Sequence, residues 1–244
     1  GEEFVDPADF AQFGTGFGEP NNGGNEDVVQ LYSDGNWNDN AEDLRLFSIF
    51  EFNSAPTLSA IAAAFPPIEI SGNLIGVGAD GVTDIGNGLD GLLIERSGPI
   101  NVNDNVISAN DRNGIVAVES HDVVITSNRI GTDTAGALSR GNGEIGIYAY
   151  GGSEIHIGGA AVGAGNVIAG NLREGVRIGG EINVDIRGNL IGVGSNGVTA
   201  IGNESSGVNI EDSGSVNVAD NVISANNDNG VVVRSSRDVV IESN

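Results

Sequence analysis

Two groups of oxygen-bearing side chains are of types that do chemistry. The first lies between residues 19 and 39, where Glu19-Pro20-Asn21, Glu26-Asp27 and Trp37-Asn38-Asp39 follow one another in a stretch rich in Gly and Asn. Carboxylate and amide oxygens are the hard donors that Ca²⁺ gathers in sets of six to eight. The second group is Asp122, Glu154 and Glu181, read as one column in successive repeats. In a stacked structure such acids lie roughly 5 Å apart, a spacing that suits a shared cation or approaches the carboxyl pair of a retaining glycosidase. The plainer reading is a row of solvated acids that open strands and discourage edge pairing. His121 and the outward-facing His156 belong to no recognisable triad.

What must position these groups is a repeat. Gly72 to Asn128 aligns without a gap on Gly188 to Asn244, and 37 of the 57 positions are identical by direct count. Within it, Asn-x-Ile or its start recurs at Asn73, Asn105, Asn128, Asn166, Asn189, Asn221 and Asn244, at intervals of 32, 23, 38, 23, 32 and 23. The base unit is therefore 23 residues, with insertions of 9 or 15. Each unit holds three short alternating segments separated by Gly, Asn, Asp or Ser, such as Gly114 to Val118, Val123 to Ile125 and Asn128 to Ile130. Alternation and turn residues of this kind indicate strands, not helices. Strands so short hold no core alone, so coil must stack on coil as a parallel β-helix.

Two inward columns follow from the alternation: Ile100, Val123, Ile155, Ile182, Val216 and Val239, then Val102, Ile125, Ile157, Val184, Val218 and Ile241. Glycines at 91, 114, 146, 175, 207 and 230 open the first strand of each coil, where a tight corner is expected to need a positive φ. The recurrent asparagines are expected to form a structural ladder, each amide bonding the next coil.

Composition sets the remaining bounds. The chain has 244 residues and a formal charge of −24, with ten arginines and no lysine, so nucleic acid and anionic lipid are poor partners. It has no cysteine, which excludes disulfides, zinc ribbons and thiol catalysis. No apolar run reaches the roughly 18 residues of a membrane span. Seven Phe, Tyr32 and Trp37 fall within residues 1 to 52, and the composition changes sharply after them. Residues 1–52 and 69–244 are thus expected to be separate domains, joined by residues 53–68 as linker or cap, where Thr57 to Phe65 has helical character that Pro66 and Pro67 end.

The repeats, with coils such as Gly188-Asn189-Leu190-Ile191-Gly192, resemble the right-handed parallel β-helix proteins of bacterial surfaces and secretions. That resemblance implies a fold and leaves function open, because the scaffold carries lyases, hydrolases, epimerases and passive stalks alike. The ordered set of EPN, Glu-Asp and Trp-Asn-Asp resembles the C-terminal half of a C-type lectin domain. The chain is thus expected to be mainly β, a right-handed parallel β-helix solenoid preceded by a partial C-type lectin-like α+β module.

The lectin resemblance implies that Glu19, Asn21, Glu26, Asn38 and Asp39 ligate Ca²⁺ and, with it, two adjacent hydroxyls of a mannose- or glucose-type sugar. Asn38 and Asp39 cannot both face one side of an ideal strand, so the strand is expected to end or bulge there. The family's usual cysteines are replaced by Val28, Glu42 and Phe50, and the half of the domain that carries its helices would precede Gly1. The chain is accordingly expected to be a fragment of a longer protein, extracellular or at the cell surface, with its signal sequence upstream. The expected function is calcium-dependent glycan binding by a lectin module on a β-helical stalk, of adhesin type. A polysaccharide-cleaving lyase or hydrolase, with its groove along the solenoid, and a purely structural spacer are the alternatives. Scattered arginines such as Arg129, Arg177 and Arg187, and the absence of lysine, weaken the enzymatic one.

Overall fold

The computed structural model describes residues 28–31, 37–40, 66–180 and 182–244. Chain contacts divide into two compact units, residues 1–64 and 65–244. In the first unit, Val28–Leu31 pairs antiparallel with Trp37–Asn40 in the register Val28↔Asn40, Val29↔Asp39, Gln30↔Asn38 and Leu31↔Trp37. That ladder runs without a break through Asn38 and Asp39, so the expected bulge or strand end there is not found. The helical expectation for residues 57–65 lies outside the described residues.

The second unit is a β-helix, and among its described residues there is no helix. Three parallel sheets form its sides. A seven-stranded sheet, here the long sheet, runs from Ile68–Ser71 to Arg237–Glu242. A six-stranded sheet of two-residue strands runs from Leu74–Ile75 to Val222–Ile223. The third side, here the middle sheet, has six strands from Leu92–Glu95 to Val231–Arg234. In every sheet each strand pairs only with its equivalents one coil before and one coil after. Long-range pairing thus replaces hairpins, and each coil is held by its neighbours.

Alternation turns one face of each strand inward. Ile107, Ile115, Ile125, Ile130, Ile147, Ile155, Ile157, Ile168, Ile178, Ile186, Ile191 and Ile210 are fully buried, each contributing about 2 kcal/mol of apolar transfer. The register corrects one coil in both inward columns. Ile155 faces Val184 and Ile157 faces Ile186, so Ile182 and Val184 were assigned two residues too early. A slide of two residues keeps every apolar side chain on the same face, so alternation alone does not distinguish the two registers.

Asparagine ladders close two corners. In the expected one, Asn189 Nδ2 donates to Asn221 Oδ1 (2.9 Å) and to the Ile157 carbonyl (2.8 Å), while its Oδ1 accepts from the main-chain N–H (3.0 Å) and Nδ2 (2.9 Å) of Asn166. The same pattern runs from Asn73 to Asn244. A second ladder, Asn87, Asn110, Asn142, Asn171, Asn203 and Asn226, mirrors it at another corner. A buried amide whose donors and acceptor are all matched offsets its desolvation and fixes the register.

The strand-opening glycines have a different cause from the expected one. Gly114 and Gly146 do not have positive φ. A Cβ on Gly114 would lie 2.6 Å from the Gly146 carbonyl oxygen and 2.8 Å from Ile130 Cγ2; one on Gly146 would lie 2.5 Å from the Gly175 oxygen. Close stacking of coils demands glycine there. Left-handed backbone falls instead at other glycines, such as Gly72, Gly131 and Gly188, and at residues of varied type, among them Arg96, Asp104, Ala109, Glu119, Asp122 and Asn183.

Hairpins beginning at Gly76, Gly131 and Gly192 leave the solenoid on alternate coils, closed by the bridges Val77↔Asp84, Thr132↔Ser139 and Val193↔Ala200. They touch one another, since Thr134 N–H donates to the Gly81 carbonyl (3.2 Å) and Ser195 N–H to the Gly136 carbonyl (2.8 Å). The 15-residue insertion divides between two places. Nine residues form the Gly131 hairpin, and six lengthen the turn between Gly158 and Asn166.

Candidate functional site

The acid column is shorter than expected. Ser153 faces His121 and Ile155 faces Val123, which sets Glu154 beside Asp122 in the long sheet. In the next coil the equivalent position is Asn183, because Ser153 faces Ile182 and Ile155 faces Val184. Asn183 Nδ2 donates to Glu154 Oε1 at 2.6 Å, so an amide stands where a third carboxylate was expected. Glu181 lies outside the described residues. Asp122 contacts His121 Nδ1 at 3.0 Å and both are exposed. His156 faces outward in register between Val124 and Asp185. Among the described residues no three His, Asp or Glu side chains are grouped so as to hold a metal ion. Of the calcium set, Glu19, Asn21 and Glu26 lie outside the described residues, and Asn38 and Asp39 are described only through their strand.

A different surface brings functional groups together, on the outer face of the middle sheet. Tyr148 and Tyr150 sit two apart on strand Ile147–Tyr150, so both project outward. They are the only Tyr, Phe or Trp between residues 66 and 244. Their ring centroids are 6.3 Å apart, tilted by 38°. Register carries Arg177 opposite Tyr148 and Gly179 opposite Tyr150. The Arg177 guanidinium lies 6.0 Å from the Tyr148 ring centroid, at the outer reach of a cation–π contact. Gly179 is a seat for the other ring: a Cβ there would lie 3.1 Å from Tyr150 Cδ2. Tyr150 remains 50% exposed.

One coil further on, Asn209 follows Arg177 and Glu211 follows Gly179. Arg177 Nη2 donates to Glu211 Oε2 at 2.8 Å, and Arg234 Nη1 to Glu211 Oε1 at 3.0 Å. Asn209 Nδ2 also donates to Glu211 Oε1, at 3.2 Å. The amide of Asn209 and then the two guanidiniums hold the Glu211 carboxyl below its ordinary range. Glu174, on the turn before this strand, adds a further negative charge near Arg177. Two oxygens are left over, Asn209 Oδ1 and Glu174 Oε2, which are buried without a hydrogen-bond partner.

In the sequence Arg177 is one of several scattered arginines, and Tyr148 and Tyr150 are not among the expected site residues. The available signal was a break in the repeat. The outward positions Leu93, Val116, Tyr148, Arg177, Asn209 and Val232 form one column of the sheet, yet no two neighbouring coils share a residue there.

The sequence family described as right handed beta helix region matches residues 90–244. The chain belongs to the right-handed β-helix family. That match does not extend to the EPN and Trp-Asn-Asp segments. Among solved structures, the A-module of a mannuronan C-5 epimerase of Azotobacter vinelandii is 24% identical, over 68% of this chain and 39% of that one, with a TM-score of 0.47. A periplasmic alginate epimerase is 16% identical, over 71% of this chain and 39% of its own, with a TM-score of 0.40. This chain thus spans about two fifths of each epimerase, and the family assignment does not rest on these partial likenesses. No curated protein matches significantly.

Proposed function

We propose that this β-helix binds polysaccharide, at an extracellular or cell-surface location, through the outer face of its middle sheet. The observation that carries the reading is the Tyr148–Tyr150 pair, seated beside Arg177 and Gly179 and left open to solvent. Flat rings present an apolar face to the C–H side of a sugar, and neighbouring amide, carboxylate and guanidinium groups supply the planar hydrogen-bonding edges that orient it. The columns of the sheet repeat at about 4.8 Å along the solenoid, so Tyr150, Gly179, Glu211 and Arg234 offer a track to an extended polymer.

Binding suits this face better than cleavage. A hydrolase needs a carboxylic acid able to give a proton near neutral pH, whereas Glu211 is held ionised by three donors. The calcium-lectin reading of residues 1–52 is a second proposal, favoured by the ordered EPN, Glu-Asp and Trp-Asn-Asp set. Its test is Trp37 fluorescence under calcium titration, mannose addition and chelation, on a chain with the preceding half of the domain restored. No chelator-reversible change removes it.

Affinity electrophoresis through gels containing galactomannan tests the main reading. Replacing Tyr148 and Tyr150 with Ala should weaken retardation by about 30-fold, at about 1 kcal/mol per ring, with thermal stability little changed. Retardation that survives the double substitution excludes this face. Release of reducing ends or unsaturated products by the wild type would replace binding with cleavage.

A further inference from the structure

Resting on that reading, we infer that the face takes an uncharged, hydroxyl-rich sugar and discriminates against polyuronates and other acidic polysaccharides. The groups already committed and those left over decide this. Both cations on the face are engaged: Arg177 and Arg234 donate to the two oxygens of Glu211, at 2.8 and 3.0 Å. An incoming carboxylate finds no guanidinium without a partner here, and it meets Glu211 and Glu174 in a protein of net charge −24.

The unmatched atoms are both acceptors. Asn209 is 4% exposed, and because its Nδ2 donates to a carboxylate, which only accepts, the orientation of the amide is fixed and Oδ1 is the end without a partner. Glu174 Oε2 is in the same condition. A buried acceptor without a donor is an unfavourable state that a ligand hydroxyl relieves and a carboxylate does not.

Dextran and galactomannan as neutral probes, with polygalacturonate and alginate as acidic ones, test this in affinity electrophoresis at physiological salt. At equal repeat-unit concentration a neutral probe should be bound at least tenfold more tightly than either acidic one. Asn209→Leu should weaken neutral binding five- to tenfold. Glu174→Ala should do the same independently, with an unchanged melting temperature showing that the fold is kept. Acidic probes bound as tightly as neutral ones, or neutral binding untouched by both substitutions, would overturn the inference and leave polysaccharide binding standing. Failure of all four polymers to bind would remove that reading as well.

Discussion

Asn189 and Asn209 are twenty residues apart, both almost fully buried, and opposite in condition. Asn189 sits in a column of identical residues, and its amide is matched by Asn166 on one side and Asn221 on the other. Asn209 sits in a column that also holds Tyr148 and Arg177, and its carbonyl oxygen has no partner. Where one residue type repeats along the solenoid, each copy satisfies the next and the column serves the fold. Where the type changes at every coil, the residues satisfy each other only in part, and an acceptor is left without a donor.

The largest expected effect attacks the repeated column. Asn166→Ala strips a donor from the Ile125 carbonyl and an acceptor from the Asn128 main-chain N–H, and should cost about 3 kcal/mol in urea unfolding. A loss no greater than that of Asn209→Leu would erase the distinction between the two columns. Gly146→Ala follows, because the added methyl meets the Gly175 carbonyl. A cost of about 2 kcal/mol is expected from overpacking, and an unchanged midpoint would show that the coil spacing yields.

Acid should separate the two regions further. Glu211 has a folded pKa below its ordinary value of 4.5, so its contribution is complete above that value and fades as pH falls through the folded one. Glu211→Gln should therefore flatten the decline of stability below about pH 4.5, whereas Asn166→Ala should shift the whole profile. Melts from pH 7 to pH 3 distinguish these outcomes. The smallest effect is expected at the first hairpin. There Asp80 accepts from the Val82 and Thr83 N–H groups, and the Thr83 hydroxyl first, then those N–H groups, hold it down to about 2. Asn196 fills the same role in the third hairpin. Asp80→Asn should leave the melting temperature unchanged at neutral pH.

The fold was legible because its determinants repeat. Interval, alternation and the Asn73 to Asn244 series together name a β-helix, and the insertions mark where coils swell. The two-residue error at Ile182 arose because alternation does not fix register, which here follows the asparagine columns and the turn lengths. The second asparagine ladder was visible as Gly-Asn or Ala-Asn at residues 87, 110, 142, 171, 203 and 226, obscured by hairpins that vary its interval. The middle-sheet face was not legible as a site, since stacking brings Tyr148, Arg177 and Glu211 together from three coils. The same two-residue slip places Glu181 in the column of Asp122 and Glu154, where the structure has Asn183. The calcium set belongs to the other unit, where the described part is one strand pair.

The contacts between hairpins have a consequence for growth. Thr134 reaches Gly81 and Ser195 reaches Gly136 across an intervening plain coil, so the outer wall is continuous only while decorated and undecorated turns alternate. Gain or loss of a single turn would bring two decorated neighbours into collision or open a gap in the wall. The offset of 116 residues between the two related stretches spans four turns, so that each hairpin-bearing turn falls on another hairpin-bearing turn.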